Sequence, residues 1–313
     1  MGTASDRGIW AASVTPVDAG GAVDIPLLAA HGRWLLAQGC RGVLLFGTTG
    51  ETAAFSVAER QAALEALLAT GFPIDRLRVG VGCCARSDTV ALTKHALAQG
   101  CRELLALPPY FFKSLPDEGL YRAFAETIDA VADPALQLHL YHFPQVSGVP
   151  VTMPVIERLV AAYPDTVKGV KDSSGDLAHT LELVRRFPTL AIYAGADGHL
   201  LDLLKAGGAG TISAAANLNA AANRAVLDAF EKGDMAAAEA GMKKVAAVRG
   251  VLNSRPLIPS IKAVLAGALG KPGWRTVRAP FVEVDDKAIP ELLQALAAAG
   301  NGLAAEATHK AAA

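Results

Sequence analysis

The 313-residue chain has no excess of charge of either sign: 29 Lys and Arg stand against 30 Asp and Glu, a formal net charge of −1. With no basic run, nothing is present to neutralise nucleic-acid phosphates or to hold an anionic membrane surface, so both partners are excluded. Long apolar runs are missing too. No stretch reaches the roughly 18 residues of a membrane span before a charge, glycine or proline interrupts it, and Met1 to Arg7 hold no apolar leader core. These absences point to a soluble, cytoplasmic protein. Cysteine is scarce: Cys40, Cys83, Cys84 and Cys101 have no C-x-x-C spacing and are too few for a disulfide scaffold, which fits reduced, mostly buried thiols. Also absent are the H-E-x-x-H, G-x-S-x-G and Walker motifs of metalloproteases, serine hydrolases and nucleotide hydrolases.

What is there is a large apolar fraction, 52%, enough for a sizeable core and too much for a disordered chain. Short β-rich runs alternate with longer segments of helical period, the pattern of a parallel sheet with crossover helices. The predicted strands are Ile9–Val14, Gly42–Phe46, Leu77–Gly82, Glu103–Leu107, Leu136–Tyr141, Val167–Lys171, Leu190–Ala194 and Gly210–Ala214. Eight is the number that closes a (β/α)8 TIM barrel. Helices are predicted at Val57–Thr70, Ser87–Gln99, Pro116–Val131, Met153–Tyr163 and Asp176–Phe187. Ser56 and Glu59 form a capping box, and Gly39, Gly71 and Gly100 stand at expected C-caps. Beyond the eighth strand the chain reads as helix alone: Ala220–Lys232, Met235–Val251, Pro259–Leu269 and Ile289–Ala299. The expected division is a barrel carrying the active site over 1–225, a helical extension packed on it over 226–300, and a flexible tail over 301–313.

Reactive groups of such barrels lie where the strands end and the βα loops converge. Those ends read Thr15-Pro16, Gly47-Thr48-Thr49-Gly50-Glu51, Pro108-Pro109-Tyr110-Phe111, Tyr141-His142-Phe143-Pro144, Lys171-Asp172-Ser173-Ser174-Gly175 and Gly195-Ala196-Asp197. Lys171 closes a strand otherwise suited to a barrel wall, which aims its amine into the mouth. Desolvation disfavours a charged lysine, and a neutral amine attacks a carbonyl carbon to form a Schiff base. Strand lysines are ordinarily surface residues, as Lys168 is expected to be; Tyr141 at the matching end of the preceding strand sets Lys171 apart, because a phenol there can shuttle protons. Parity leaves strand 5 open: either Tyr141, His139 and Gln137 face inward, giving a polar floor, or His142 does. The Gly47–Glu51 turn offers hydroxyl and backbone donors to a carboxylate.

Together these motifs resemble the dihydrodipicolinate synthase and N-acetylneuraminate lyase family of class I, Schiff-base-forming, pyruvate-dependent lyases. The resemblance spans nearly the whole chain and rests on Gly47–Glu51, Pro109-Tyr110, Tyr141-x-x-Pro144, Gly169–Asp176 and a tail, Arg278-Ala279-Pro280-Phe281, like the family's R-x-P-L. It implies a (β/α)8 barrel with three C-terminal helices, a homotetramer built as a dimer of dimers, and no metal or organic cofactor. It also implies that Lys171 forms the Schiff base, Tyr141 shuttles protons, Thr48 relays protons to Tyr141, and Thr49 in the Gly47 turn holds the pyruvyl carboxylate. Tyr110 and Ile212 match site-lining positions.

Departures from the pattern bear on specificity. Where the synthases have an arginine for the carboxylate of the aldehyde partner, this chain has Val146, and a carboxylate without a partner there is costly. The lyases' Asp-Glu pair is Asp197-Gly198 and their strand 8 serine is Ala214, which argues against sialic acid. Phe111 replaces a second tyrosine that reaches a neighbouring subunit's site and completes the relay; a phenyl ring cannot pass a proton. The expectation is an aldolase joining or cleaving pyruvate and an aldehyde, with a 2-keto-3-deoxy sugar acid as the substrate type. The alternatives are a 2-oxo acid dehydratase using the same iminium, 4-hydroxy-tetrahydrodipicolinate synthase, and a non-catalytic 2-oxo acid binding barrel. A dinucleotide fingerprint, Gly80 to Ala85 with Glu103 about 20 residues on, is weak alone. His31, His95, His139, His142, His179, His199 and His309 are not expected to cluster as ligands of a metal aldolase.

Overall fold

The computed structural model describes residues 7–312, with side chains over 7–308. Residues 1–6, read above for a leader, lie outside the described residues. Eight parallel strands close in sequence order, each hydrogen-bonded to the next and β8 to β1. In order the elements are β1 (Gly8–Ala12), α1 (Ile25–Ala37), β2 (Gly42–Leu45), α2 (Val57–Ala69), β3 (Leu77–Gly80), α3 (Arg86–Ala98), β4 (Glu103–Ala106) and α4 (Asp117–Val131). Then come β5 (Gln137–His142), α5 (Pro144–Ser147), α6 (Met153–Ala162), β6 (Val167–Asp172), α7 (Leu177–Arg186), β7 (Ala191–Ala194), α8 (Leu200–Lys205) and β8 (Gly210–Ser213). The chain ends in α9 (Ala216–Glu231), α10 (Met235–Asn253), α11 (Leu257–Leu269), α12 (Ile289–Ala298) and α13 (Gly302–Ala312). All eight expected strands are present, each displaced by no more than a few residues at its ends. A closed barrel has no switch point for a dinucleotide, which removes the reading of Gly80 to Ala85 as a Rossmann turn.

Local chemistry explains the punctuation. The Ser56 side chain accepts from the Glu59 backbone while the Glu59 carboxylate accepts from the Ser56 backbone, so two orphan donors of α2 are satisfied at once. Four helices escape the sequence pattern: α1 is apolar on most faces, α5 and α8 are too short to show a period, and α13 is alanine-rich. Helix α9 starts four residues before its expected Ala220 because it bends at Asn219 (φ −127°, ψ 23°), a break that hides its first turn from the periodicity. Residues 302–312, expected as part of a flexible tail, form α13 instead: Ala304 is fully buried, and the side chain of buried Asn301 bonds Leu218 O and caps the helix at Ala304.

The barrel wall separates two apolar layers. Outward side chains such as Val43, Val79, Leu104, Leu140 and Val170 pack under the helices, while Trp10, Leu44, Leu105, Tyr193 and Ile212 fill the interior. A second cluster around Trp274, Ile261 and Leu292 joins α10–α13 to the end of β1 at Val14 and the start of α9. This cluster brings the C-terminal helices beside the mouth. Among the described residues, no helix is long and apolar enough to cross a membrane.

Candidate active site

Register settles the parity question at β5. Tyr141 lies opposite Lys171, and Lys171 opposite Tyr193, and all three belong to the interior, with Tyr141 and Lys171 each 3% exposed. His139 therefore faces inward as well and forms a polar floor: Glu103 accepts from Arg78 Nε (2.6 Å), His139 Nε2 lies 3.5 Å from Glu103, and Arg78 donates to the Tyr193 hydroxyl (3.0 Å). The Arg78 guanidinium is sandwiched 3.9 Å from the Trp10 ring and 4.6 Å from that of Tyr193. Burial works against ionisation of Glu103, but His139 and Arg78 prevail and hold its carboxyl down at about 2. The floor is thus a rigid charged plug beneath Lys171. Lys168 faces outward and bonds Pro164 O.

Above the floor, a cavity of ≈ 370 Å3 opens at the C-terminal ends of the strands, lined by Thr48, Thr49, Tyr141, Lys171, Ile212 and Val146 among others. Lys171 Nζ stands 4.1 Å from the Tyr141 ring centroid, and Thr48 Oγ1 lies 3.4 Å from the Tyr141 hydroxyl. The Thr48 and Thr49 hydroxyls are placed by an unusual turn. Phe46 (φ 50°) and Glu51 (φ 59°) take left-handed backbone on either side of it, and hydrogen bonds Gly50 N to Gly47 O and Glu51 N to Thr48 O close it. Gly80 is required opposite: a Cβ there would lie 2.2 Å from Phe46 O.

Glu51 anchors this turn from behind. Its carboxylate is fully buried in an ion pair with Lys262 of α11, and its Oε2 accepts the Arg278 backbone N–H (2.9 Å). Arg278 in turn binds Gly21 O and Ala54 O and pairs with Glu59. The R-x-P segment is therefore a clasp that ties the C-terminal extension to the Gly47–Glu51 turn.

Three expected site residues lie elsewhere. Asp197, expected against the substrate, is fully buried behind the wall, where Asn223 of α9 donates to its Oδ2 (3.1 Å); burial pushes its carboxyl up. The 3-10 turn that follows β7 folds that side chain back toward α9, away from the cavity. Tyr110 stands off the cavity beside Cys83 and Cys84, where burial first and then Cys84 push its phenol up to about 12. Gly47 is buried and shapes the turn without lining the cavity.

Two further expectations are corrected. His142 and His179 do come together, stacked 4.5 Å apart, with Asp172 within ligand range of both. Sequence spacing hides this because β5 and α7 meet only in the fold. Asp172, alternating with Lys171, faces outward and accepts from His179 Nδ1, Thr180 Oγ1 and Ser174 N, while His142 Nδ1 accepts from Val151 N, so the trio braces the end of β6. Of the thiols only Cys40 and Cys101 are buried, and burial raises them to about 12 and 11; Cys83 is half-buried and Cys84 exposed. Phe111 projects into solvent, 74% exposed, edge-on to Phe112.

The C-terminal extension also lines the cavity, with Phe281 of the Arg278–Phe281 tail and with residues that no local motif announces, Arg249 of α10 and residues 256–259 before and within α11. A larger groove of ≈ 700 Å3, between α1, α9, α10 and α13, is lined mainly by small residues and contains none of the groups above.

A closed parallel barrel with a lysine and a tyrosine buried side by side at its mouth is the architecture of the barrel lyases. The chain belongs to the Dihydrodipicolinate synthetase family, whose model matches residues 5–299, and is a lyase of that family. It is 36% identical over 291 residues to a DapA-like lyase of Chloroflexus aurantiacus, covering 92% of this chain and 95% of the relative. Among solved structures, dihydrodipicolinate synthase of Agrobacterium tumefaciens aligns with a TM-score of 0.83 at 32% identity, over 93% of this chain and 98% of that one. YagE, a prophage protein of E. coli K12 solved in complex with pyruvate, aligns with a TM-score of 0.86 at 25% identity, over 94% and 99%.

Proposed function

We propose that the chain is a class I aldolase that cleaves or forms a 2-keto-3-deoxy sugar acid through a Schiff base on Lys171. The observation that carries this reading is the placement of the Lys171 amine against Tyr141 in a cavity that Thr48 and Thr49 also line. Thr49, with donors of the turn, takes the carboxylate of the 2-oxo acid. The Lys171 amine adds to C2, and the carbinolamine loses water to give the iminium, with Tyr141 moving the protons. In cleavage Tyr141 accepts the proton of the C4 hydroxyl, the C3–C4 electron pair passes into the iminium to give an enamine, and the aldehyde departs. The enamine then takes a proton at C3, and water releases pyruvate and restores the amine. Thr48, within reach of the Tyr141 hydroxyl, passes protons onward.

Val146 favours this over the synthase reaction. It lines the cavity at 55% exposure and brings no cation to the β5 side. The proposal includes assembly as a homotetramer, with Phe111 and Phe112 as exposed contacts. The test is to supply 2-keto-3-deoxygluconate and measure pyruvate release. Pyruvate at a rate that Lys171→Ala abolishes is the expected result. Water loss to a 2,5-dioxo acid without pyruvate would move the assignment to a dehydratase, and turnover only of pyruvate with aspartate semialdehyde would move it to the synthase.

A further inference from the structure

Behind the mouth lie two polar side chains that the reaction above does not use. Asp197, in the 3-10 turn after β7, and Asn223 of α9 are both fully buried, and Asn223 Nδ2 donates to Asp197 Oδ2 (3.1 Å). The same Nδ2 donates to Asn219 O (3.1 Å), so both amide hydrogens are taken up by acceptors. Those two partners fix the orientation of the amide, because turning it over would set its oxygen against them. Asp197 Oδ1 and Asn223 Oδ1 are buried as well, and neither has a hydrogen-bond partner among the described residues. Bare acceptors on two neighbouring buried groups are costly. An ionised carboxyl cannot relieve them, since it only accepts; a protonated one gains an O–H donor.

We propose that Asp197 is a neutral carboxylic acid in the folded chain and that the proton on its Oδ1 is donated to Asn223 Oδ1, closing a two-way acid–amide pair. One proton then satisfies both orphaned oxygens. The groups that face Asp197 agree with this. Arg249 of α10 favours ionisation, as do the Ser213 and Asn223 side chains, but Arg249 Nη1 has no hydrogen-bond partner among the described residues and closes no ion pair with the acid. Cys40, ahead of β2, is itself buried, with its thiol pushed up to about 12, and brings no positive charge. Burial outweighs the groups that favour ionisation and pushes the carboxyl up. The pair ties the turn that follows cavity residue Gly195 to the helix that follows cavity residue Ala214, so a single proton latches two segments that bound the mouth. This latch does not depend on the chemistry at Lys171. Its sign with pH is fixed: the unfolded chain releases the proton above the ordinary value of 3.8 while the folded chain keeps it, so the contribution is complete below 3.8 and is lost as pH rises toward the native titration.

Asp197→Asn tests the latch, because its amide N–H replaces the acid O–H as donor and carries no titratable proton. Urea unfolding of both full chains at one protein concentration gives their folding constants from pH 5 to 7. The expected result is a wild-type constant that falls about tenfold per pH unit relative to the variant. Infrared difference spectra at pH 7 should show the carbonyl band of a protonated carboxyl in the wild type that Asp197→Asn lacks. Asp197→Leu, which leaves the Asn223 amide bare, should be less stable than Asp197→Asn at every pH. A ratio that does not change with pH, or no such band, overturns the neutral acid. A band that appears only in Arg249→Met would make Asp197 a carboxylate balanced by Arg249 and overturn it equally, and Asp197→Leu as stable as Asp197→Asn overturns the pairing with Asn223.

Discussion

Replacing Lys262 with methionine should destabilise the protein far more than a typical substitution. Lys262 and Glu51 are fully buried, and apart from each other their charged groups meet only Thr276 O (2.9 Å from Nζ) and the Arg278 N–H. Methionine fills the lysine stem's space but leaves the Glu51 carboxylate buried with one neutral donor. Removing one partner of a buried pair costs about 3–5 kcal/mol. With an unfolding entropy of about 2.1 cal/mol/K per residue, that corresponds to a fall in Tm of roughly 5–8 °C for a chain of this length. The double variant Glu51→Gln, Lys262→Met removes both charges and should recover more than half of the loss. Because Glu51 closes the turn that carries Thr48 and Thr49, Lys262→Met should also raise KM for pyruvate more than it lowers kcat. The assays are thermal unfolding followed by circular dichroism and steady-state kinetics. A Tm within about 1 °C of wild type, or a double variant less stable than the single, would refute the argument.

His31 is fully buried between Trp34, Trp274 and Asn217, and burial lowers its pKa from 6.5 to about 4. The unfolded chain takes up that proton first, so the contribution is complete above about pH 6.5 and is lost as pH falls toward 4, by about 3 kcal/mol in all. Tm should therefore drop between pH 6.5 and 4.5 more steeply in the wild-type chain than in His31→Gln; equal slopes would count against it. Tyr141→Phe keeps the ring that packs against Lys171 and removes the hydroxyl, so kcat should fall by about 10²- to 10⁴-fold while pyruvate is still trapped on Lys171, more slowly. Stopped-flow and quenched trapping separate the two steps.

The barrel was legible because each strand is a short apolar run bounded by turn residues, and eight such runs allow few closures. Lys171 and Tyr141 were legible for the same reason: strand ends mark the mouth. The orientation of Tyr141 was not, since alternation at β5 fits either face until Lys171 and Tyr193 fix the register. Asp197 misled because its position after β7 gives no sign that Asn223, 26 residues on, holds it behind the wall. Contacts between distant segments were invisible on similar grounds: Glu51 with Lys262, His142 with His179, and Arg249 at the cavity wall all join elements whose separation is set by packing and not by period. Helix α13 was hidden by composition, because an alanine-rich run shows little amphipathic contrast even where Ala304 and Ala307 pack.

The proposed reaction stands on covalent chemistry at Lys171. Incubation with pyruvate and borohydride, followed by peptide mass spectrometry, converts a transient iminium into a stable secondary amine. The predicted result is one reduced pyruvyl adduct on the peptide that contains Lys171, lost in Lys171→Ala. No adduct at saturating pyruvate, or an adduct on another lysine that persists in the variant, would contradict it.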